Sequence, residues 1–332
     1  MGLYFANAID NLVVDALAGF ARAHAGTVTW NEPDGYVRAL HTSPARRVGL
    51  VSGGGSGHEP LHIGYVGAGM LDAACPGRIF ASPHNRAIFA ASRAVAREDG
   101  VLHLVKNYTG DKINFGIAAE RLAREDIPCG RVLIDDDLAS ESAEVANGRR
   151  GTGATLLVEK ILGAAADTGL GLNDLVALGT DLVARCRSLA VASAPHTAPA
   201  TGLPAFDLPA GDIEYGVGIH GERARHTLGG GRPLRELAED MVDTLTGSLG
   251  VGSGTEVVVL VNGLGAITMM ELYAVLNEVT RRLDDRGART VRTLVGDFVT
   301  ALDMRGFSLT LLRADEATLT YFDAPARTPA WT

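Results

Sequence analysis

Val48-Gly49-Leu50-Val51-Ser52-Gly53-Gly54-Gly55-Ser56-Gly57-His58-Glu59-Pro60 carries the reading of the fold. A short apolar run that opens into glycines predicts a buried strand over 48–51 followed by a glycine-rich loop over 52–57. Glycine lets backbone N–H groups approach a small polar ligand unshielded by side chains. The loop is not a dinucleotide fingerprint, because with Gly53 and Gly55 as the first pair the third glycine position holds His58. Nor is it a phosphate-binding P-loop, since no Gly-Lys-Ser/Thr occurs in the chain. An ordinary strand-to-helix turn is the alternative reading of the loop taken alone.

Outward from this stretch, strands and helices alternate. Apolar residues at helical spacing (Ile9, Leu12, Val13, Leu17, Phe20) predict a helix over 7–24. A helix over 87–96, a strand over 101–106, a loop over 107–111, a helix from about 114 and a strand over 131–135 follow. Two helical stretches, 154–168 and 172–189, precede a Pro/Ala/Thr-rich passage over 194–209 that reads as a linker or lid. Beyond it come strands over 214–218, 257–261, 290–294, 308–312 and 318–322, with helices from 233 and over 268–283. This alternation argues for an α/β protein of two domains, each a mixed or parallel sheet covered by helices. At 332 residues the chain is long enough for two. The expected division is 1–190, an N-terminal domain with the glycine-rich loop, and 191–332, a C-terminal domain carrying His220.

The net charge of −9 argues against a nucleic-acid partner and against electrostatic attachment to a membrane. No apolar run approaches the roughly 18 residues that span a bilayer, and the N-terminus lacks the pattern of a secretory signal. Three scattered cysteines, Cys75, Cys129 and Cys186, form no disulfide framework. A cytoplasmic location is the expectation.

Three places and one absence bear on the chemistry. His58-Glu59-Pro60-Leu61-His62 matches the H-E-x-x-H zinc pattern by letter. That pattern needs both histidines on one helical face, and Pro60 forbids a helix running through it. No metal site is therefore expected. Lys106 and Asp111 lie at a predicted strand end and the loop after it, where ligands of open α/β sheets collect. A surface ion pair is the alternative there. His220, between Gly218 and Gly221, is a reachable imidazole and a potential nucleophile, or else a histidine bonded to backbone. The fourth feature is an absence: with no nucleotide motif, a phosphoryl donor would have to arrive on another protein.

Several longer stretches together resemble the substrate-binding subunit of dihydroxyacetone kinases. They are 51–60, Lys106-Asn107-Tyr108-Thr109-Gly110-Asp111, Gly148-Arg149-Arg150-Gly151, Gly216-Val217-Gly218-Ile219-His220-Gly221-Glu222, Leu260-Val261-Asn262-Gly263-Leu264-Gly265, Glu271-Leu272-Tyr273, 308–312 and Asp323-Ala324-Pro325. They occur in order and cover nearly the whole chain.

The resemblance implies a covalent hemiaminal between His220 and the carbonyl carbon of dihydroxyacetone. It implies Asp111 as acceptor of the proton from the attacking hydroxyl, and His58 as a hydrogen-bonding partner that assists proton transfer. Gly55, Ser56, Gly57, Ser82 and Lys106 match positions that line the substrate. It further implies a homodimer of two α/β domains and no cofactor on this chain. ADP or ATP with magnesium would sit on a separate kinase subunit, recharged in many bacteria by a phosphotransfer relay. Two stretches depart from the family pattern. His220-Gly221-Glu222-Arg223-Ala224 stands where His-Gly-Glu-Pro-Gly is usual, and Ser82-Pro83-His84-Asn85-Arg86 also differs. A four-carbon ketose such as erythrulose therefore stays open, as does a keto-sugar-sensing coactivator without chemistry.

Overall fold

A computed structural model of the chain describes residues 4–140, 148–223 and 226–331. The chain folds as two units. The first takes Tyr4–Ile134, Thr155–Asp181 and Ala317–Thr332; the second takes Asp135–Ala154 and Leu182–Glu316.

The first unit is built on strands β1 (Val28–Asn31), β2 (Tyr36–Ala39), β3 (Gly49–Ser56), β4 (Ala73–Ile79), β5 (Val101–Lys106) and β6 (Cys129–Ile134). They form one sheet in the order β1-β2-β4-β3-β5-β6. β4, β3, β5 and β6 run parallel, and the β1–β2 hairpin adds an antiparallel edge. Every residue of β3 and β5 is buried, as expected for strands covered on both faces. Its helices are α1 (Leu12–Ala23), α2 (Asn85–Val95) and α3 (Thr109–Ala123), with α4 (Ala154–Asp167) and α5 (Leu172–Ala184) contributed mainly by the returning segment. Ile88, Phe89, Phe115 and Leu122 from α2 and α3 pack on Val51, Val101 and Val105 of the sheet.

The second unit carries β7 (Cys186–Ala194), β8 (Ile213–Tyr215), β9 (Thr227–Leu228), β10 (Glu256–Gly263), β11 (Arg289–Gly296) and β12 (Arg305–Arg313). Their order is β11-β10-β12-β7-β8-β9, and only β10–β11 is parallel. Helices α6 (Leu234–Leu249) and α7 (Met269–Asp285) bury Met241, Leu245, Val275 and Val279 against Val257, Val259 and Leu309. A capping box in which Thr268 and Glu271 bond each other's backbone starts α7. The last helix, α8, spans Glu316–Asp323.

Two mixed sheets covered by helices agree with the expected α/β class. Several local expectations are corrected. The glycines of 53–55 lie inside β3 rather than in a loop. A Cβ on Gly53 would come 2.6 Å from the Cys75 carbonyl, so the close approach of β4 accounts for the missing side chain. β1, β2 and β4 were not expected at all. α3 starts at Thr109, which puts Asp111 in its first turn instead of in a loop. The helix expected to 189 ends at Ala184, and its remainder is β7, held by antiparallel pairing with β12. The strand expected over 318–322 is part of α8: only Thr318 and Phe322 of that helix are buried, a helical spacing of four.

The single boundary expected at 190/191 also differs from the observed division. Strand pairing draws β7 to β12, while the segments after Ala154 and Glu316 return to the first unit. Within the passage over 194–209, residues 196–205 form a small loop closed by Ala198 N–H to the Leu203 carbonyl and Ala205 N–H to the His196 carbonyl.

Candidate functional site

The first unit gathers most of the expected residues at the carboxyl ends of β3 and β5, where ligands of parallel sheets collect. Gly55 cannot carry a side chain, because a Cβ there would lie 2.7 Å from both Phe80 Cα and the Ala81 nitrogen. The turn after β4 is thereby clamped onto the glycine-rich stretch. Phe80 N–H donates to the Ser56 carbonyl (2.9 Å), and the Ser56 hydroxyl donates to the Gly77 carbonyl (2.7 Å). Phe80 also stacks on the His58 ring, with centroids 4.9 Å apart and planes 20° from parallel. Gly57, at φ +98°, turns the chain toward His58, and its N–H donates to Glu59 Oε2 (2.9 Å).

Ser82 meets the first turn of α3, which carries Asp111. A Cβ on Gly110 would lie 2.6 Å from Ser82 Oγ, so the serine hydroxyl rests on the helix's first turn. Asp111 is buried there, and its Oδ1 has no hydrogen-bond partner among the described residues. A buried acceptor without a donor is costly, so this atom suits a ligand that brings a hydroxyl.

Lys106 ends β5 fully buried. Its Nζ lies 2.6 Å from His62 Nε2, and His62 Nδ1 lies 2.6 Å from Glu159 Oε1 and 2.9 Å from Ser52 Oγ. Both ring nitrogens of His62 are therefore engaged by the protein. Residues 58–62 form turns followed by a short 3-10 helix, Ile63–Tyr65, in place of the helix a zinc motif requires.

His220 belongs to the second unit. Its N–H donates to Glu222 Oε2 and its Nδ1 lies against Glu222 Oε1, both at 2.9 Å. Gly218 makes room: a Cβ there would fall 2.1 Å from Glu222 Oε2 and 2.4 Å from Arg150 Nη1. Burial alone would raise the Glu222 carboxyl, but the His220 hydrogen bond and the charges of His220 and Arg150 hold it at about 2. Arg150 is tied in turn to Asp137 (2.7 Å) and to the Gly216 carbonyl (3.0 Å). Burial pushes Asp137 up to about 6 against the pull of Arg150. When the ring is uncharged, an Nδ1–H donated to Glu222 puts the lone pair on Nε2. Of the family-departing loop, Arg223 pairs with Glu214 (2.8 Å), and Ala224 lies outside the described residues.

Sequence reasoning missed Ser52, His62, Phe80, Arg150 and Glu159 as parts of these clusters. It also left His196 aside, although a Cβ on Gly221 would come 2.7 Å from His196 Cε1. Glu159 gave no signal, because it lies on α4, 97 residues from its partner His62. Arg150 stood in a recognised motif without a role.

A chain with a glycine-rich strand end, a buried carboxylate oxygen that accepts no hydrogen bond among the described residues, and a carboxylate-held histidine matches a known class. The Dak1 domain matches residues 18–330, and the chain belongs to that family. It is 42% identical over 328 residues, covering 98% of both chains, to the dihydroxyacetone-binding subunit of a PTS-dependent dihydroxyacetone kinase of Listeria innocua. It is 40% identical to the dihydroxyacetone-binding subunit of the PEP-dependent kinase of Escherichia coli, covering 98% of this chain and 97% of that one. Among solved structures, a dihydroxyacetone kinase operon co-activator superposes with a TM-score of 0.90 at 32% identity, covering 96% of this chain and 97% of the other. The dihydroxyacetone kinase of C. freundii superposes at 0.84, also at 32% identity, over 100% of this chain and 60% of that longer one. The expected family and fold are thus shown. Among the described residues, no helix is long and apolar enough to cross a membrane.

Proposed function

We propose that the chain is the ketose-holding component of a dihydroxyacetone-type kinase, and that it binds its substrate as a hemiaminal on His220. The observation that carries this reading is the Glu222 carboxylate on His220 Nδ1. With that hydrogen bond in place, Nε2 attacks the carbonyl carbon, Glu222 stabilises the resulting imidazolium through Nδ1–H, and His58 delivers a proton to the former carbonyl oxygen. One N–C bond forms, the C=O becomes C–OH, and no water is lost. Glycerol has no carbonyl and is rejected.

Asp111 then accepts the proton of the terminal hydroxyl as that oxygen attacks phosphorus and the donor's P–O bond breaks. Gly55, Ser56, Gly57, Ser82 and Lys106 line the ketose. The donor, ADP or ATP with magnesium, is held by a separate kinase subunit, and this chain acts as a homodimer in the cytoplasm. Dihydroxyacetone is the first substrate to test, and erythrulose the second.

Native mass spectrometry tests the bond. Dihydroxyacetone should add its full mass, glycerol should add nothing, and His220→Ala should remove the adduct and most turnover with the kinase subunit. Near wild-type turnover in that variant ends the covalent reading. A second reading, a ketose-sensing coactivator without chemistry, draws on the 0.90 superposition with an operon co-activator. It requires an adduct without turnover in the presence of any kinase subunit.

A further inference from the structure

The line Lys106–His62–Glu159 has no part in the roles just given to His220, His58 and Asp111. Its members are 1%, 4% and 0% exposed, and come from β5, the turn after β3, and α4. An ammonium only donates, so a charged Lys106 requires His62 Nε2 to accept. Nδ1 then carries the ring's hydrogen. The Ser52 hydroxyl gives its own hydrogen to the Leu104 carbonyl (2.9 Å), so Nδ1–H is shared by Ser52 Oγ and Glu159 Oε1. The single hydrogen of a neutral imidazole thus couples the charge on Lys106 to the charge on Glu159.

We propose that Glu159 and His62 are positioning residues for Lys106, holding its amine against Gly54 and governing whether it carries a proton where it lines the ketose. The proposal rests on the ketose reading for the last clause alone. A space-filling role does not account for Glu159, since its Oε2 is buried with no hydrogen-bond partner among the described residues and an apolar side chain would fill the same volume at lower cost. Geometry fixes the near end as well: a Cβ on Gly54 would lie 2.2 Å from Lys106 Nζ and 3.2 Å from His62 Nε2.

The groups facing this line agree. Burial pushes Lys106 down, while Asp111 and Glu159 pull it back toward the ammonium. Burial pushes Glu159 up to about 8, against the pull of the Lys106 charge. Burial, Lys106 and His58 together hold His62 well below the usual imidazole range, so it relays as a neutral ring. Tyr65 faces Glu159 and is held in its phenol form by burial and by that carboxylate. The two ends are drawn toward each other. Two short transfers, Nζ–H to Nε2 and Nδ1–H to Oε1, convert ammonium and carboxylate into amine and carboxylic acid with no change in net charge.

The chain has three lysines, Lys106, Lys112 and Lys160. Lysine labelled with carbon-13 at the ε position therefore gives three signals in the full-length protein, assignable by Lys→Arg replacement. In Glu159→Gln the titration midpoint of Lys106 should fall by about one pH unit or more, with Lys112 unmoved, because the compensating charge is gone. His62→Gln, which interrupts the link and leaves the carboxylate in place, should lower the same midpoint, and serves if Glu159→Gln does not fold. A Lys106 midpoint unchanged in the folded variant overturns the proposal. This readout needs neither ketose nor kinase subunit, so its failure is distinct from failure of the kinase reading. In turnover, Glu159→Gln should move the alkaline limb of the kcat profile down and add no further loss in a Lys106→Met background. Full additivity with Lys106→Met also overturns it.

Discussion

Glu222 grips His220 twice, accepting its backbone N–H on Oε2 and its ring Nδ1 on Oε1, each at 2.9 Å. Two residues of spacing suffice because Gly218 and Gly221 bracket the histidine, with Gly221 at φ +80°. A carboxylate placed this way fixes ring orientation and tautomer together, the arrangement that prepares an imidazole for attack on carbon.

Glu222→Gln should weaken ketose retention by roughly 10- to 100-fold, the worth of one hydrogen bond to a charged group. Titration of the adduct by native mass spectrometry reads this directly. The same variant tests a pH dependence. The folded carboxyl is held below its ordinary value, at about 2, so its contribution to stability is complete above about pH 4.5 and is lost as pH falls toward 2. The stability gap between wild type and Glu222→Gln, measured by urea unfolding, should narrow over that interval. A gap that widens toward acid contradicts the assignment.

Asp111→Asn should keep the adduct and lose turnover by about 10²- to 10⁴-fold, the usual worth of a general base. The side chain keeps its size, so burial at the start of α3 is preserved. Loss of the adduct as well would make Asp111 a binding residue.

Gly54→Ala places a methyl 2.2 Å from Lys106 Nζ. Overpacking of this kind should cost about 1–3 kcal/mol. Because the displaced atom is the amine, kcat should fall in variant protein that is still folded by circular dichroism. Wild-type turnover would mean that the amine moves aside without consequence.

Asp136→Ala probes the support beneath the second unit. Asp136 accepts from Thr152 N–H and Oγ1 (2.8 Å each), from Ala154 N–H at the start of α4 (3.0 Å) and from the Ser188 hydroxyl. Its loss strands several buried donors and should cost about 3–5 kcal/mol in chemical denaturation. A cost under about 1 kcal/mol would mean that the donors find other partners.

The sequence was most legible where one segment contained its whole reason. Val101–Lys106 reads as a buried strand from six residues alone, and Thr268 with Glu271 announces the start of α7. His220 and Glu222 sit in one short motif, so their pairing was within reach. β4 was not legible, because its strand character comes from pairing with β3 on one side and β2 on the other. α8 was misread because Thr-Leu-Thr-Tyr-Phe alternates like a strand, while burial selects only Thr318 and Phe322.

From its letters alone, the chain determined an α/β architecture and the glycines that admit close backbone approach, and it offered His58, Lys106, Asp111 and His220 as candidates. These are local matters of periodicity, steric freedom and residue chemistry. Tertiary structure alone decided that Glu159, 97 residues from His62, stands behind it and, through it, behind Lys106. It also decided that the chain leaves each unit and returns to it. Burial of a charge is set by what packs around it, and no window of sequence contains those neighbours.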